Sequence, residues 1–214
     1  MATKGVFRVE CPHCGDSFDA DFWTVVRGDR DHDVKELILS GEFDILMCPK
    51  CEKMFQHEEP FLYIDPNRDI LCFVLPETYI DKRDEWTARM KADYEPMRAS
   101  LAAVQGISGE PVCLFGLAPL TAMLQTDQDR EEETDVMEFM AREDGLHLLP
   151  VKPAAARELD ILFSLPMPAG LKGRAAALKA AEALRARNDA LPRLKKLIDA
   201  LAALKGDELP FVKS

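Results

Sequence analysis

Cys11-Pro12-His13-Cys14-Gly15 and Cys48-Pro49-Lys50-Cys51-Glu52, with 33 residues between Cys14 and Cys48, decide the reading of the N-terminal half. A C-x-x-C turn places two sulfurs on one side of a metal ion. Two such turns facing each other complete the tetrahedron that zinc prefers. The proline in each pair fixes φ near -65° and stiffens the turn. The residue after the second cysteine adopts positive φ, which Gly15 does at little cost. Glu52 stands at the equivalent place in the second turn. A side chain there costs ~1–2 kcal/mol, against ~10–16 kcal/mol for metal binding in small zinc modules. Cys11, Cys14, Cys48 and Cys51 are therefore expected to bind one structural zinc ion. Four thiolates close the coordination shell and leave no position open for catalysis.

The spacing also admits a second reading. Cys-Pro-His-Cys occurs as a redox pair where the first cysteine caps a helix, which depresses its pKa. Here Gly15-Asp16-Ser17 and a strand pattern follow, so the helix is missing. His13 and His57 lie close enough in sequence to substitute for a thiolate, but with four cysteines available they read as solvent-facing polar residues. Cys72, within Ile-Leu-Cys-Phe-Val-Leu, and Cys113, within Val-Cys-Leu-Phe, read as buried core cysteines.

Working outward, residues 5–10 read as a strand entering the first turn, and 17–27 alternate as a second. Residues 29–33 form a polar turn in which Asp33 caps a short helix over 34–39, stopped by Ser40-Gly41. Phe43, Ile45 and Met47 alternate into the second turn, and 54–56 leave it. Residues 61–64 and 70–75 are strands of a hairpin around Asp65-Pro66-Asn67-Arg68-Asp69. The character changes at Pro76. A helix is expected over 81–95, with Trp86, Met90 and Tyr94 on one face. Pro96 ends or kinks it, and the helical pattern resumes to Val104. Residues 106–111 are a loop, 112–115 a short apolar run of unassigned type, and 118–125 helical.

Residues 127–144 are acidic and include Glu131-Glu132-Glu133, which read either as a solvated helix face or linker, or as a docking surface for a basic partner. Within them, 136–140 can continue a helix. Residues 146–151 suggest a brief strand. A helix over 154–163, ending near Pro166-Met167-Pro168, is followed by one over 171–188. A last helix begins at Pro192, a favoured first position. Its Leu194, Leu197, Ile198, Leu201 and Leu204 form an apolar stripe, and Gly206 stops it. The stripe reads as core, with residues 190–206 as an alternative dimerisation element.

The formal net charge is -11. Residues 1–80 and 81–150 each carry -8, whereas 151–214 carry +5. Four thiolates on zinc would make the first segment more negative. Nucleic-acid backbones are bound by neutralising phosphates with Lys and Arg, so such a partner is disfavoured outside the C-terminal third. No run approaches the ~20 apolar residues of a membrane helix, and the first residues lack the apolar core of a secretory signal. Six cysteines in a cytoplasmic protein point to metal ligation rather than disulfides. No internal repeat, P-loop, dinucleotide fingerprint or nucleophile elbow is present.

The segment from Cys11 to about Pro76 resembles the CpXC family of bacterial and archaeal proteins. The two cysteine stretches, Phe22-Trp23-Thr24-Val25-Val26, Leu39-Ser40-Gly41-Glu42-Phe43 and the hairpin ending at Leu75-Pro76 carry the likeness, which extends more loosely to about residue 120. It implies a four-cysteine metal module and no particular activity. Together these readings predict an α+β protein. A zinc-ribbon-like antiparallel β module with an inserted short helix (1–76) precedes a helical continuation with the acidic segment (77–150) and an Ala/Leu-rich helical region (151–214). The expected role is a cytoplasmic, zinc-stabilised protein-interaction or scaffolding module, with a protein partner or a second copy as its target. The alternatives are a nucleic-acid-binding ribbon and a thiol-disulfide oxidoreductase using Cys11 and Cys14.

Overall fold

Alternating side chains in the first 27 residues produce two long strands. In the computed structural model, which describes residues 3–100, 107 and 109–213, β1 (Thr3–Glu10) and β2 (Ser17–Arg27) pair antiparallel. Glu10 lies opposite Ser17, so the first cysteine pair occupies the hairpin turn. Helix α1 (His32–Ser40) follows, starting two residues earlier than a cap at Asp33 suggests. Asp31 precedes it and accepts a hydrogen bond from the Arg27 amide at 2.9 Å, so Asp33 lies inside the first turn. Val34 and Ile38 face inward, and Gly41 closes the helix at φ 77°.

Strands β3 (Ile45–Met47) and β4 (Met54–Gln56) form a separate two-stranded ribbon around the second cysteine pair. The chain then returns to the main sheet as β5 (Phe61–Asp65) and β6 (Ile70–Leu75), the expected hairpin. Asp65 closes its turn by accepting from the Arg68 amide at 3.2 Å. The run at Val112–Phe115 is strand β7 and pairs with β6. The sheet order is β1-β2-β5-β6-β7. The α+β class is as expected, but the sheet is mixed rather than purely antiparallel, because β2/β5 and β6/β7 are parallel. Both parallel partners are joined through long connections, which is what parallel pairing requires.

The two faces of this sheet follow the period of two. Phe61, Tyr63, Ile70, Cys72 and Val74 join Val34 and Ile38 of α1 on one face. Ile64 and Leu71 join Tyr94 and Ile107 on the other. Covered on both sides, β5 and β6 read as nearly unbroken apolar runs. Tyr94 comes from α2 (Arg83–Tyr94), which 3-10 turns flank on each side. The expected helical continuation to Val104 lies partly outside the described residues. Cys72 is in the core as expected, whereas Cys113, on the edge strand, is only half-buried.

The chain divides into compact units Met1–Leu124 and Gln125–Ser214. Helix α3 (Ala118–Glu143) takes in the acidic stretch as far as Glu143. In the second unit its inner face is Asp127, Arg130, Thr134, Met137 and Ala141, a stripe at alternating three- and four-residue spacing. Arg130 is 1 % exposed and bonds Asp127 and, at 3.0 Å, Asp160. Arg157 reaches Asp127 at 2.8 Å, and Arg193 joins Glu133 to Asp160. Glu133 is therefore spent inside this network and is unavailable as a docking charge. Opposed charges satisfy each other, as burial demands.

Strands β8 (His147–Pro150) and β9 (Ser164–Met167) pair antiparallel. Helix α4 (Pro153–Glu158) ends well before the expected Phe163. Asp160 adopts φ 48°, and Ile161, Leu162 and Phe163 leave the helix to enter the core. The reason is tertiary: the Val151 amide donates to the Phe163 carbonyl at 2.8 Å and opens the ladder. Pro166 is tolerated in β9 because alternate antiparallel pairs exchange no amide bonds, and its partner is Leu148, an odd step from the bonded Val151–Phe163 pair. Helices α5 (Arg174–Arg187) and α6 (Pro192–Ala203) complete the unit. Leu194, Leu197 and Leu201 are fully buried in its core. The stripe is thus occupied within its own unit, and an association through residues 190–206 would have to use other faces of α6.

Candidate metal centre

Each cysteine pair sits in the same closed turn. The Cys11 amide donates to the Asp16 carbonyl at 2.8 Å, and the Gly15 amide returns to the Cys11 carbonyl at 2.9 Å. In the second turn the Cys48 amide donates to the Lys53 carbonyl at 3.0 Å and the Glu52 amide to the Cys48 carbonyl at 2.9 Å. Gly15 has φ 70° and Glu52 φ 58°, so Glu52 accepts the left-handed conformation that glycine takes for free. The His13 amide points at Cys11 Sγ from 3.4 Å. Lys50 Nζ meets Asp16 Oδ1 at 3.1 Å and ties one turn to the other.

These turns bring the four sulfurs within 4.8 Å of one another. The contacts across the two turns are 3.8 Å between Cys11 and Cys51 and 3.7 Å between Cys14 and Cys48. A tetrahedron with metal–sulfur bonds of about 2.3 Å has edges of about 3.8 Å. The arrangement therefore fits a metal ion. All six cysteines are free thiols. The first cysteine of each pair is buried, Cys51 is half-buried and Cys14 is exposed.

Without a cation, this cluster divides its protons unevenly. Burial opposes ionisation of Cys48, yet the amides of Cys51 and Lys50 and the neighbouring thiols of Cys11 and Cys51 bring it down to about 7. The amide of Asp16 favours the Cys14 thiolate, but burial and the other three sulfurs outweigh it and push Cys14 up to about 12. A divalent cation reverses that frustration by stabilising every thiolate together.

Neither pair starts a helix: β2 follows the first and β4 the second. The dipole that activates a redox cysteine is absent from both turns. His13 lies on the surface, with its Nε2 3.4 Å from the Met54 carbonyl, and its ring is edge-on to Phe55. His57 packs on Phe22 and pairs with Glu59 at 3.1 Å. Both remain outside the sulfur cluster, which is the one such group of metal-ligating side chains among the described residues.

A feature the sequence did not signal lies nearby. Phe43, Asp44, His57, Glu58, Glu59 and Phe61 line a cleft of about 20 Å³, room for about one water. Burial raises Asp44 to about 7; Lys4 opposes this and Glu59 adds to it. Glu58 accepts from the Glu77 amide at 2.7 Å. An aspartate between Phe43 and Ile45 carries no mark of such burial in the sequence; the fold places it in this cleft.

The fold and cluster define a module whose four cysteines are positioned to hold a metal ion: two matched turns, one on the main sheet and one on a small ribbon. The family model described as CpXC protein matches residues 9–108. That stretch, with all four cysteines inside it, is similar to the CpXC family. No curated protein and no solved structure matches the chain.

Proposed function

We propose that Cys11, Cys14, Cys48 and Cys51 bind one structural zinc ion, and that the module it stabilises works by binding protein. The carrying observation is the near-tetrahedral spacing of four sulfurs held by two independent turns. Zinc supports this reading better than a hard cation, because thiolates are soft ligands. The ion holds the β3–β4 ribbon, whose strands have three residues each and are too short to persist alone. Six free thiols fit a reducing compartment such as the cytoplasm. Among the described residues, no helix is long and apolar enough to cross a membrane.

Metal analysis of protein purified without chelator is expected to give about one zinc per chain, lost in Cys48→Ser. Cobalt substitution should add tetrahedral visible bands with thiolate charge transfer. Metal-free protein that readily forms a Cys11–Cys14 disulfide would replace this reading with a redox one. Capture of the same defined protein from native extract by zinc-loaded but not chelated bait would support the interaction role. Salt-sensitive retention on immobilised nucleic acid would instead favour a nucleic-acid ribbon.

A further inference from the structure

On α3, the face opposite the buried stripe carries Phe139 at 62 % exposure and, three residues before it, Val136 at 44 %. Glu132 and Asp135, on the same exposed side, form no ion pair among the described residues. An aromatic ring left in water among carboxylates is a poor surface for solubility and a good one for recognition. The same unit carries an apolar groove of about 530 Å³ beside β8. Leu148, Leu149 and Met167 line it, Leu171 stands at its rim at 57 % exposure, and Lys172 supplies its charge.

The groove is preformed. Gly173 has φ 87°, and a Cβ there would lie 2.0 Å from an Asp207 carboxylate oxygen. The Arg174 amide bonds the Asp207 carbonyl at 3.2 Å, and Arg174 Nε bonds the Gly206 carbonyl at 2.8 Å. The rim loop is thereby clamped, so little ordering cost accompanies occupancy.

We propose that a second copy of this chain docks here, inserting Phe139 into the groove while its Glu132 and Asp135 meet Lys172. Knob and groove are both apolar, Glu132 and Asp135 are opposite in charge to Lys172, and every copy presents both. Reciprocal insertion closes a pair, and one-way insertion propagates a chain. This names a partner for the interaction role proposed above, but it does not involve the metal site. Zinc content measured on the same samples therefore reports on that reading separately.

The test is sedimentation of full-length protein over a concentration series, with two surface variants: Phe139→Glu, and Leu171→Glu combined with Lys172→Glu. Wild type is expected to self-associate. Each variant should weaken association about 30-fold or more, as loss of an interface anchor does. Circular dichroism melts should match wild type, because all three positions are exposed. An equimolar mixture should associate again, since one variant keeps the groove and the other keeps the phenylalanine. A monomeric wild type, variants that associate as wild type does, or a mixture no tighter than its components would each overturn the proposal.

Discussion

Glu52 shows how much a single backbone angle decides. At φ 58° it makes the same amide-to-carbonyl closure as Gly15, so the metal turn forms despite the side chain. Glu52→Gly should stabilise the metal-loaded protein by up to ~1 kcal/mol, and Glu52→Val should lose ~1–2 kcal/mol relative to the glycine variant. Competition with a chromophoric chelator would rank the three. Asp44 makes a pH-dependent contribution. Burial raises its pKa from 3.8 to about 7, so its stabilising contribution is complete below about 4 and is lost as pH rises through 7. Asp44→Asn should therefore melt higher than wild type at pH 8 and close to it at pH 4. Asparagine also tolerates the φ of 55° found there. Equal shifts at both pH values would show that the residue does not titrate in this range. The Glu52 cost is legible in the sequence, where a side chain stands at a place that favours glycine; the burial of Asp44 is not.

At the scale of elements, the β3–β4 ribbon is the one that a bound ion would support most. It carries three cross-strand pairs, and Met47 and Met54 are largely exposed. Its apolar burial is too slight to hold it, unlike β5 and β6, which are covered on both faces. Chelation should make trypsin cut after Lys50 or Lys53 while amides in 61–75 stay protected from exchange. Uniform loss of protection would mean that the ion holds the whole unit. Helix α6 is the opposite case: it carries no metal ligand, and it is held by the buried Leu194, Leu197 and Leu201 together with the Arg193 and Lys196 ion pairs. Leu197→Ala should cost ~2–5 kcal/mol in the second unit through transfer and cavity terms, with metal stoichiometry unchanged. A change in zinc content in this variant would contradict that separation.

For the molecule as a whole, the sequence determined what short-range chemistry controls. The paired C-x-x-C turns, the Asp65–Asp69 hairpin and the heptad-like stripe of α6 are each specified by neighbours within a few residues, and each formed where its residues indicated. The tertiary structure alone decided what depends on distant partners. The parallel pairings β2/β5 and β6/β7 bring together strands that no local turn connects, so their registers have no sequence signal. The inner face of α3 escaped hydrophobic periodicity because Asp127, Arg130 and Thr134 occupy its buried positions, made tolerable by Arg157 and Asp160 far along the chain. Residues 159–163 read as the end of a helix because the Ala-rich stretch from 154 favours one, and only the turn at Asp160 and the bond from Val151 to Phe163 override it. The four sulfurs bridge both categories. Each pair was set by its own turn, but the fit to one ion came from the sheet and ribbon that carry the turns within 4.8 Å of each other.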